Sequence, residues 1–322
     1  MKVLQISPWS NCNNHCVFCY ERGDEPFSLE DRRKHLQDTY NMFVSGEVFE
    51  KFDFDGFGLI GGEFFGGQLI GLEDIWFKLI YLLADLLKQN KLEQVWINSN
   101  LINSDMNLLK QTFDCFDWDA LTENQKILLP TSYDAKGRFH TEEAKKKWYE
   151  TVKTVAQMYP KLGIYGTAVT TQAFIEEMLS DQFVYPEGMR ALHLLVPRLV
   201  DKDYLNEDTH TGKYREALMS KLHEYPEWFF PKSRAQFIEF MYKVKKVLGE
   251  EVVRNFYDVT KHSSDAYTYF PYKNKYFINR HVTENRHENM ECGHPYTSAC
   301  YLDSDKCSHC DCERIIKYGN KE

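Results

Sequence analysis

At 322 residues the chain is long enough to bury a sizeable core without disulfides, as one large domain or two modest ones. A formal net charge of −9 argues against a broad polyanion-binding face, because non-specific nucleic-acid affinity comes mainly from lysine and arginine neutralising phosphates. The nine cysteines cluster at the two ends of the chain with only Cys115 between, a pattern of metal ligation in a reducing compartment rather than of a disulfide framework.

The first seven residues, Met1 to Ser7, are too short and too soon interrupted by Pro8 for a signal peptide. No apolar run approaches the roughly 20 residues of a membrane helix, so the expected setting is cytoplasmic, with no membrane partner. Short apolar runs then alternate with longer amphipathic stretches, the pattern of βα units around a parallel sheet. Strands are predicted at Lys2 to Ser7, Gly56 to Ile60, Gln94 to Asn98, Lys126 to Ser132, Gly163 to Thr170 and Ala191 to Val196. Helices are predicted between them at Leu29 to Ser45, Leu72 to Gln89, Ser104 to Phe113, Thr141 to Tyr159 and Gln172 to Ser180, with a further region beginning near Asp208. Lys145 to Lys147 and Lys243 to Lys246 read as solvated helix faces. From Pro231 the pattern changes to a helix through about Leu248, and Lys273 to His287 could form a hairpin around Val282 to Asn285. The expected division is a core over 1–230 and a carboxyl-terminal helix with a Cys-rich region over 231–322.

Cys12, Cys16 and Cys19, spaced CxxxCxxC, directly follow the first predicted strand. Three thiolates on one tight loop can hold three irons of a four-iron four-sulfur cluster and leave the fourth open, whereas ferredoxin-type carriers supply four cysteines. A structural zinc site would ask for a fourth Cys or His, and His15, inside the loop, is poorly placed to close a tetrahedron. Gly61-Gly62-Glu63 follows the second strand: glycines let backbone approach a ligand, and the carboxylate can accept from an ammonium group. Taken alone, the same residues read equally as a plain turn with a surface charge. The third and fourth strands end in Asn98-Ser99-Asn100 and Ser132-Tyr133-Asp134. These polar groups could reach a ligand at the strand ends, Ser132 above all, or serve as turn residues and caps. His193 reads as a core or wall residue, and Cys115 as a small buried hydrophobe among Phe113, Phe116 and Trp118.

The cysteine triplet, with the aromatic Phe18 before its last member, and the Gly-Gly-Glu turn together resemble the radical S-adenosylmethionine (radical SAM) superfamily. The resemblance implies an oxygen-sensitive iron-sulfur enzyme with an α/β fold, an open partial (β/α)6 TIM-like barrel. It implies that SAM chelates the open iron of the cluster on Cys12, Cys16 and Cys19. One-electron cleavage then yields methionine and a 5′-deoxyadenosyl radical that takes a hydrogen atom from substrate. Gly61, Gly62 and Glu63 would bind the SAM amino group, Asn98, Asn100 and Ser132 would be further polar contacts, and Val196 would pack against adenine. Phe64 stands where the family usually has proline. A reductase, flavodoxin or ferredoxin would donate the electron.

Five further cysteines fall within about twenty residues near the end, too many to explain without a metal in a reducing cell. Cys292, Cys300, Cys307 and Cys310 are the most economical ligands, with Cys312, His294 and His309 as alternates. The group is similar in kind to the SPASM and twitch auxiliary-cluster extensions of radical SAM enzymes, so a second iron-sulfur cluster is expected there, with zinc as the alternative. That likeness implies a peptide or protein side chain as substrate. A nucleobase or nucleotide, with a zinc-binding tail, is the second reading, and a metal-stabilised binding or electron-transfer protein is the non-enzymatic one.

Overall fold

The computed structural model describes residues 2–14, 16, 27–134, 137–195, 234–252, 266–270 and 275–279. Phe18, Cys19, Val196, the region near Asp208 and the five carboxyl-terminal cysteines lie outside the described residues.

The alternation of short apolar and long amphipathic segments folds as its periodicity dictates. Strands β1 (Val3–Ile6), β2 (Gly56–Leu59), β3 (Gln94–Ile97), β4 (Lys126–Tyr133), β5 (Gly163–Val169) and β6 (Ala191–Leu195) form a parallel sheet. The intervening helices are α1 (Leu29–Val44), a short α2 (Glu47–Lys51), α3 (Glu73–Lys88), α4 (Met106–Asp114), α5 (Glu142–Met158) and α6 (Gln172–Leu179). The protein is thus an α/β fold built on a parallel sheet. Among the described residues no helix is long and apolar enough to cross a membrane.

The sheet continues past residue 230. Helix α7 (Arg234–Leu248) packs on α6, where the Phe174 and Phe240 rings meet edge to face at 5.8 Å and Lys243 pairs with Asp181. Strand β7 (Ala266–Phe270) then runs parallel beside β1, and β8 (Lys275–Asn279) runs antiparallel beside β7, giving the order β6-β5-β4-β3-β2-β1-β7-β8. β7 and β8 thus pair as an antiparallel hairpin, and the turn expected at Val282 to Asn285 lies outside the described residues. Its register runs from Ala266↔Asn279 to Phe270↔Lys275. Both strands are dense in Tyr and Phe, which suit a pleated surface.

Helix ends are fixed by side chains. Ser28 and Asp31 form a reciprocal capping box at α1, while Asp105, Thr141 and Thr171 each accept from backbone N–H groups of the first turn of α4, α5 and α6. On α3 the buried residues Ile75, Trp76, Leu79, Ile80, Leu83 and Leu87 recur at helical spacing and cover one face of the sheet. That face is wholly apolar at its centre, where Leu4, Phe57, Val95 and Ile127 lie in register and fully buried.

The opposite face differs. Along it Gln5, Trp96, Asn98, Ser132, Tyr165 and Thr167 keep partial exposure and His193 is exposed, among the described residues. Ser132, Thr167 and His193 lie side by side across β4, β5 and β6. Parallel sheets ordinarily bury both faces under helices, so a polar and aromatic row on one face marks it as a place for a ligand or another segment of chain.

Candidate functional site

The loops after β1, β2 and β3 are knitted together at the carboxyl ends of their strands. The β1–β2 ladder runs on beyond both strands: Ile60 N–H donates to Ile6 O at 2.9 Å, Gly62 N–H to Trp9 O at 2.9 Å and Glu63 N–H to Asn11 O at 2.8 Å. The Trp9 indole N–H donates to Glu63 O at 3.0 Å, locking the pair from the side.

This close approach is why the turn is Gly-Gly. Gly61 has φ +112°, and a Cβ there would sit 2.6 Å from Trp9 O; a Cβ at Gly62 would overlap Asn11 O. Gly66 meets the Asn13 side chain in the same way. The glycines, expected from sequence to admit a ligand, here admit the cysteine-bearing loop. Asn11 closes the base of that loop by donating through Nδ2 to Phe27 O at 3.1 Å and accepting from Phe27 N–H through Oδ1 at 2.8 Å.

Glu63 is fully buried. Its Oε1 accepts from Phe65 N–H at 2.9 Å and from the Ser99 hydroxyl at 2.8 Å, and its Oε2 accepts from Asn100 N–H at 2.6 Å. The carboxylate read from sequence as a partner for a ligand's ammonium thus already ties the β2 loop to the β3 loop. Burial pushes its pKa up, against the lowering effect of hydrogen bonds from Asn100, Ser99, Phe65 and Phe64.

The same network reaches the sulfurs. Cys12 is half-buried and Cys16 buried. Asn100 Nδ2 donates to Asn13 Oδ1 at 2.8 Å and lies 3.5 Å from Cys12 Sγ. Asn14 Nδ2 donates to Arg138 O at 3.1 Å and lies 3.3 Å from Cys16 Sγ. Asn13 Nδ2 donates to Ile102 O at 2.6 Å. Of the residues singled out in the sequence, Cys12, Cys16, Gly61, Gly62, Glu63 and Asn100 therefore come together, while Ser132 stands on the partly open sheet face. Asn98 lies on that face too, and its Oδ1 is buried without a hydrogen-bond partner among the described residues. Among the described residues no group of three or more Cys, His, Asp or Glu side chains gathers in metal-binding reach.

Sequence reasoning passed over Asn13 and Asn14, whose amides bind the loops; the Asn-Asn pair between the cysteines was the available signal. Of a second buried polar group behind β4 it had named Asp134 at the strand end but not the partners. Asp134 accepts from the Thr171 hydroxyl at 2.8 Å and from Gly137 N–H. Tyr133 donates to Glu177 Oε1 at 2.6 Å, beside the ion pair of Lys145 with Glu177. Burial raises the Tyr133 hydroxyl far above its ordinary range and pushes Tyr149, its neighbour, up to about 12. This group ties α5 and α6 to the sheet. Cys115, half-buried at the end of α4, has its thiol pKa raised chiefly by burial, as suits a small apolar residue.

No protein-family model matches this chain, and no curated protein matches it either.

Proposed function

We propose that the chain is a radical SAM enzyme whose sheet curves into an open partial barrel, with the catalytic cluster held by Cys12, Cys16 and Cys19 at the carboxyl ends of the strands. The observation that carries the reading is the convergence of the loops after β1, β2 and β3 on one thiol-bearing loop, whose base Asn11 closes and whose flank Gly62 and Glu63 brace.

The donor set suits such a group. Each of the two described sulfurs has a neutral amide N–H beside it, and N–H donors aimed at sulfur favour thiolates. The unpartnered Asn98 Oδ1, on the open face at the end of β3, is an acceptor that a ligand's hydroxyl or ammonium would satisfy. When bound, cluster and SAM would supply one-electron cleavage to methionine and a 5′-deoxyadenosyl radical. The chain's own part is positional. Glu63 and Ser99 fix the β3 loop, Asn100 fixes Cys12, and Gly61 and Gly62 let the braced loops close without a gap. Ser132, Thr167 and His193 line the face on which a substrate would lie, proposed as a peptide or protein side chain, and a reductase, flavodoxin or ferredoxin would donate the electron. Cys292, Cys300, Cys307 and Cys310 are proposed to hold a second cluster.

Anaerobic reconstitution of the full chain with iron and sulfide should give a brown protein that releases 5′-deoxyadenosine from SAM under strong reductant. Cys16→Ala should lose both the colour and the product. About eight irons per chain supports two clusters, and about four with one zinc moves the tail to the metal of the alternative reading. A colourless protein with zinc on the amino-terminal cysteines overturns the proposal, and a brown protein that leaves SAM intact makes it an electron carrier instead.

A further inference from the structure

Each described thiol of the cysteine loop is met by an asparagine amide that has one hydrogen on an oxygen and the other toward sulfur. For Asn100 the orientation is fixed by its surroundings. Its Oδ1 accepts from Ile102 N–H at 2.7 Å, so Nδ2 must face Asn13 Oδ1 and Cys12 Sγ; exchanging O and N would set oxygen against oxygen and leave the Ile102 N–H unmet. The backbone beneath it is over-determined. Glu63 Oε2 holds Asn100 N–H, Ser99 Oγ accepts from Leu101 N–H at 3.0 Å, and Leu101, fully buried, is held at φ +55°, a left-handed conformation costing an L-residue roughly 1–2 kcal/mol. Asn14 is placed from the other side, by Arg138 O in the loop after β4.

We propose that Asn100 and Asn14 are positioning residues that set the electron affinity of the iron-sulfur group on Cys12 and Cys16, each by donating one side-chain N–H to a thiolate sulfur. The inference rests on the radical SAM reading above. An N–H directed at a thiolate draws electron density from sulfur and stabilises the more reduced cluster, so each donor raises the reduction potential. Neutral amides do this without burying a charge beside the cluster. The two donors come from different strand-end loops, after β3 and within the β1 loop braced on the β4 loop, so the sulfurs are tuned separately.

The test is an EPR-monitored redox titration of the anaerobically reconstituted full chain without SAM, comparing wild type with Asn100→Asp, Asn100→Ala, Asn14→Ala and the exposed control Asn107→Ala. At the wild-type midpoint, Asn100→Ala and Asn14→Ala should each lower the ratio of reduced to oxidised cluster by about threefold to tenfold, tenfold being ~59 mV for one electron. Asn100→Asp, which keeps an acceptor for Ile102 N–H but replaces the donor by a negative charge, should lower it further. Asn107→Ala should leave it unchanged. If Asn100→Ala fails to fold or to load iron, Asn100→Asp and Asn14→Ala decide the matter. Loaded variants titrating within twofold of the wild type overturn the tuning while leaving the radical SAM reading standing; a wild type that assembles no cluster overturns both.

Discussion

Glu63 after β2 and Asp134 after β4 are both fully buried carboxylates at the same ends of the same sheet, yet they are spent differently. Glu63 has all its described partners in loops: Phe65 in its own, Ser99 and Asn100 in the next, with the cysteine loop zipped to its backbone. Asp134 divides itself between the Gly137 N–H of its loop and the Thr171 hydroxyl that caps α6. One carboxylate organises loops beside the Cys12 sulfur, whereas the other, through its described partners, fastens a helix to the sheet and holds the turn that precedes Arg138, whose carbonyl meets Asn14 beside Cys16. A buried acid at a strand end is therefore not in itself a ligand; what it means depends on where its donors lead.

The largest effect expected from that difference is with Glu63→Ala. Three donors would lose their acceptor, two of them backbone N–H groups, at about 1–3 kcal/mol each where they stay dry. A loss of roughly 3–5 kcal/mol is expected by urea unfolding, together with a rise of at least about tenfold in the alkylation rate of Cys12 in the metal-free chain. Asp134→Ala should cost less, about 2–3 kcal/mol, and should raise Cys16 alkylation only a few-fold. Mass spectrometry of alkylated peptides separates the two cysteines. Equal acceleration of both thiols in both variants would abolish the distinction between the carboxylates.

The strands of the first two thirds were legible because each is a short apolar run bounded by turn residues, and their ends moved by only a residue or so: Gly56–Leu59 for an expected Gly56 to Ile60, Lys126–Tyr133 for Lys126 to Ser132. The helices were legible for the same local reason, down to the cap at Thr141. The pairing of β7 with β1 was not, because nothing in a five-residue aromatic strand names a partner some 260 residues earlier. The cysteine loop and the Gly-Gly-Glu turn could be read as a site. That Glu63 faces Ser99 and Asn100, and that the glycines accommodate Asn11, could not, since both depend on the spacing of neighbouring loops. Asn98 and Asn100 illustrate the limit: two residues apart with the same side chain, one has an acceptor unmet among the described residues and the other uses both ends of its amide.

The close packing of the loops can be tested apart from their hydrogen bonds. Gly62→Ala would place a methyl into Asn11 O, so backbone must move, at an expected cost of roughly 2–3 kcal/mol. Gly46, between α1 and α2, has φ +77° but open space around its Cβ direction, so Gly46→Ala should cost only the left-handed strain, about 1 kcal/mol. Urea midpoints at constant m compare the two. Similar costs would mean that the β1 and β2 loops can part easily, and would weaken the case that Gly62 is there to bring them together.

The smallest effect is electrostatic, and its sign follows from burial. Desolvation lifts the Glu63 pKa above its ordinary 4.5, so folding favours the protonated form. The associated stabilisation is fully present below that ordinary value and is lost as pH rises through the higher folded value. Gln at this position does not titrate. The stability of Glu63→Gln relative to wild type should therefore move in favour of glutamine as pH rises from about 4 toward neutrality, with a slope no steeper than about 1.4 kcal/mol per pH unit. Paired urea titrations across that range measure it. A slope of the opposite sign would mean that the hydrogen bonds Glu63 accepts outweigh desolvation and hold it as an anion, which would make the β2–β3 link a charged one from acid pH upward.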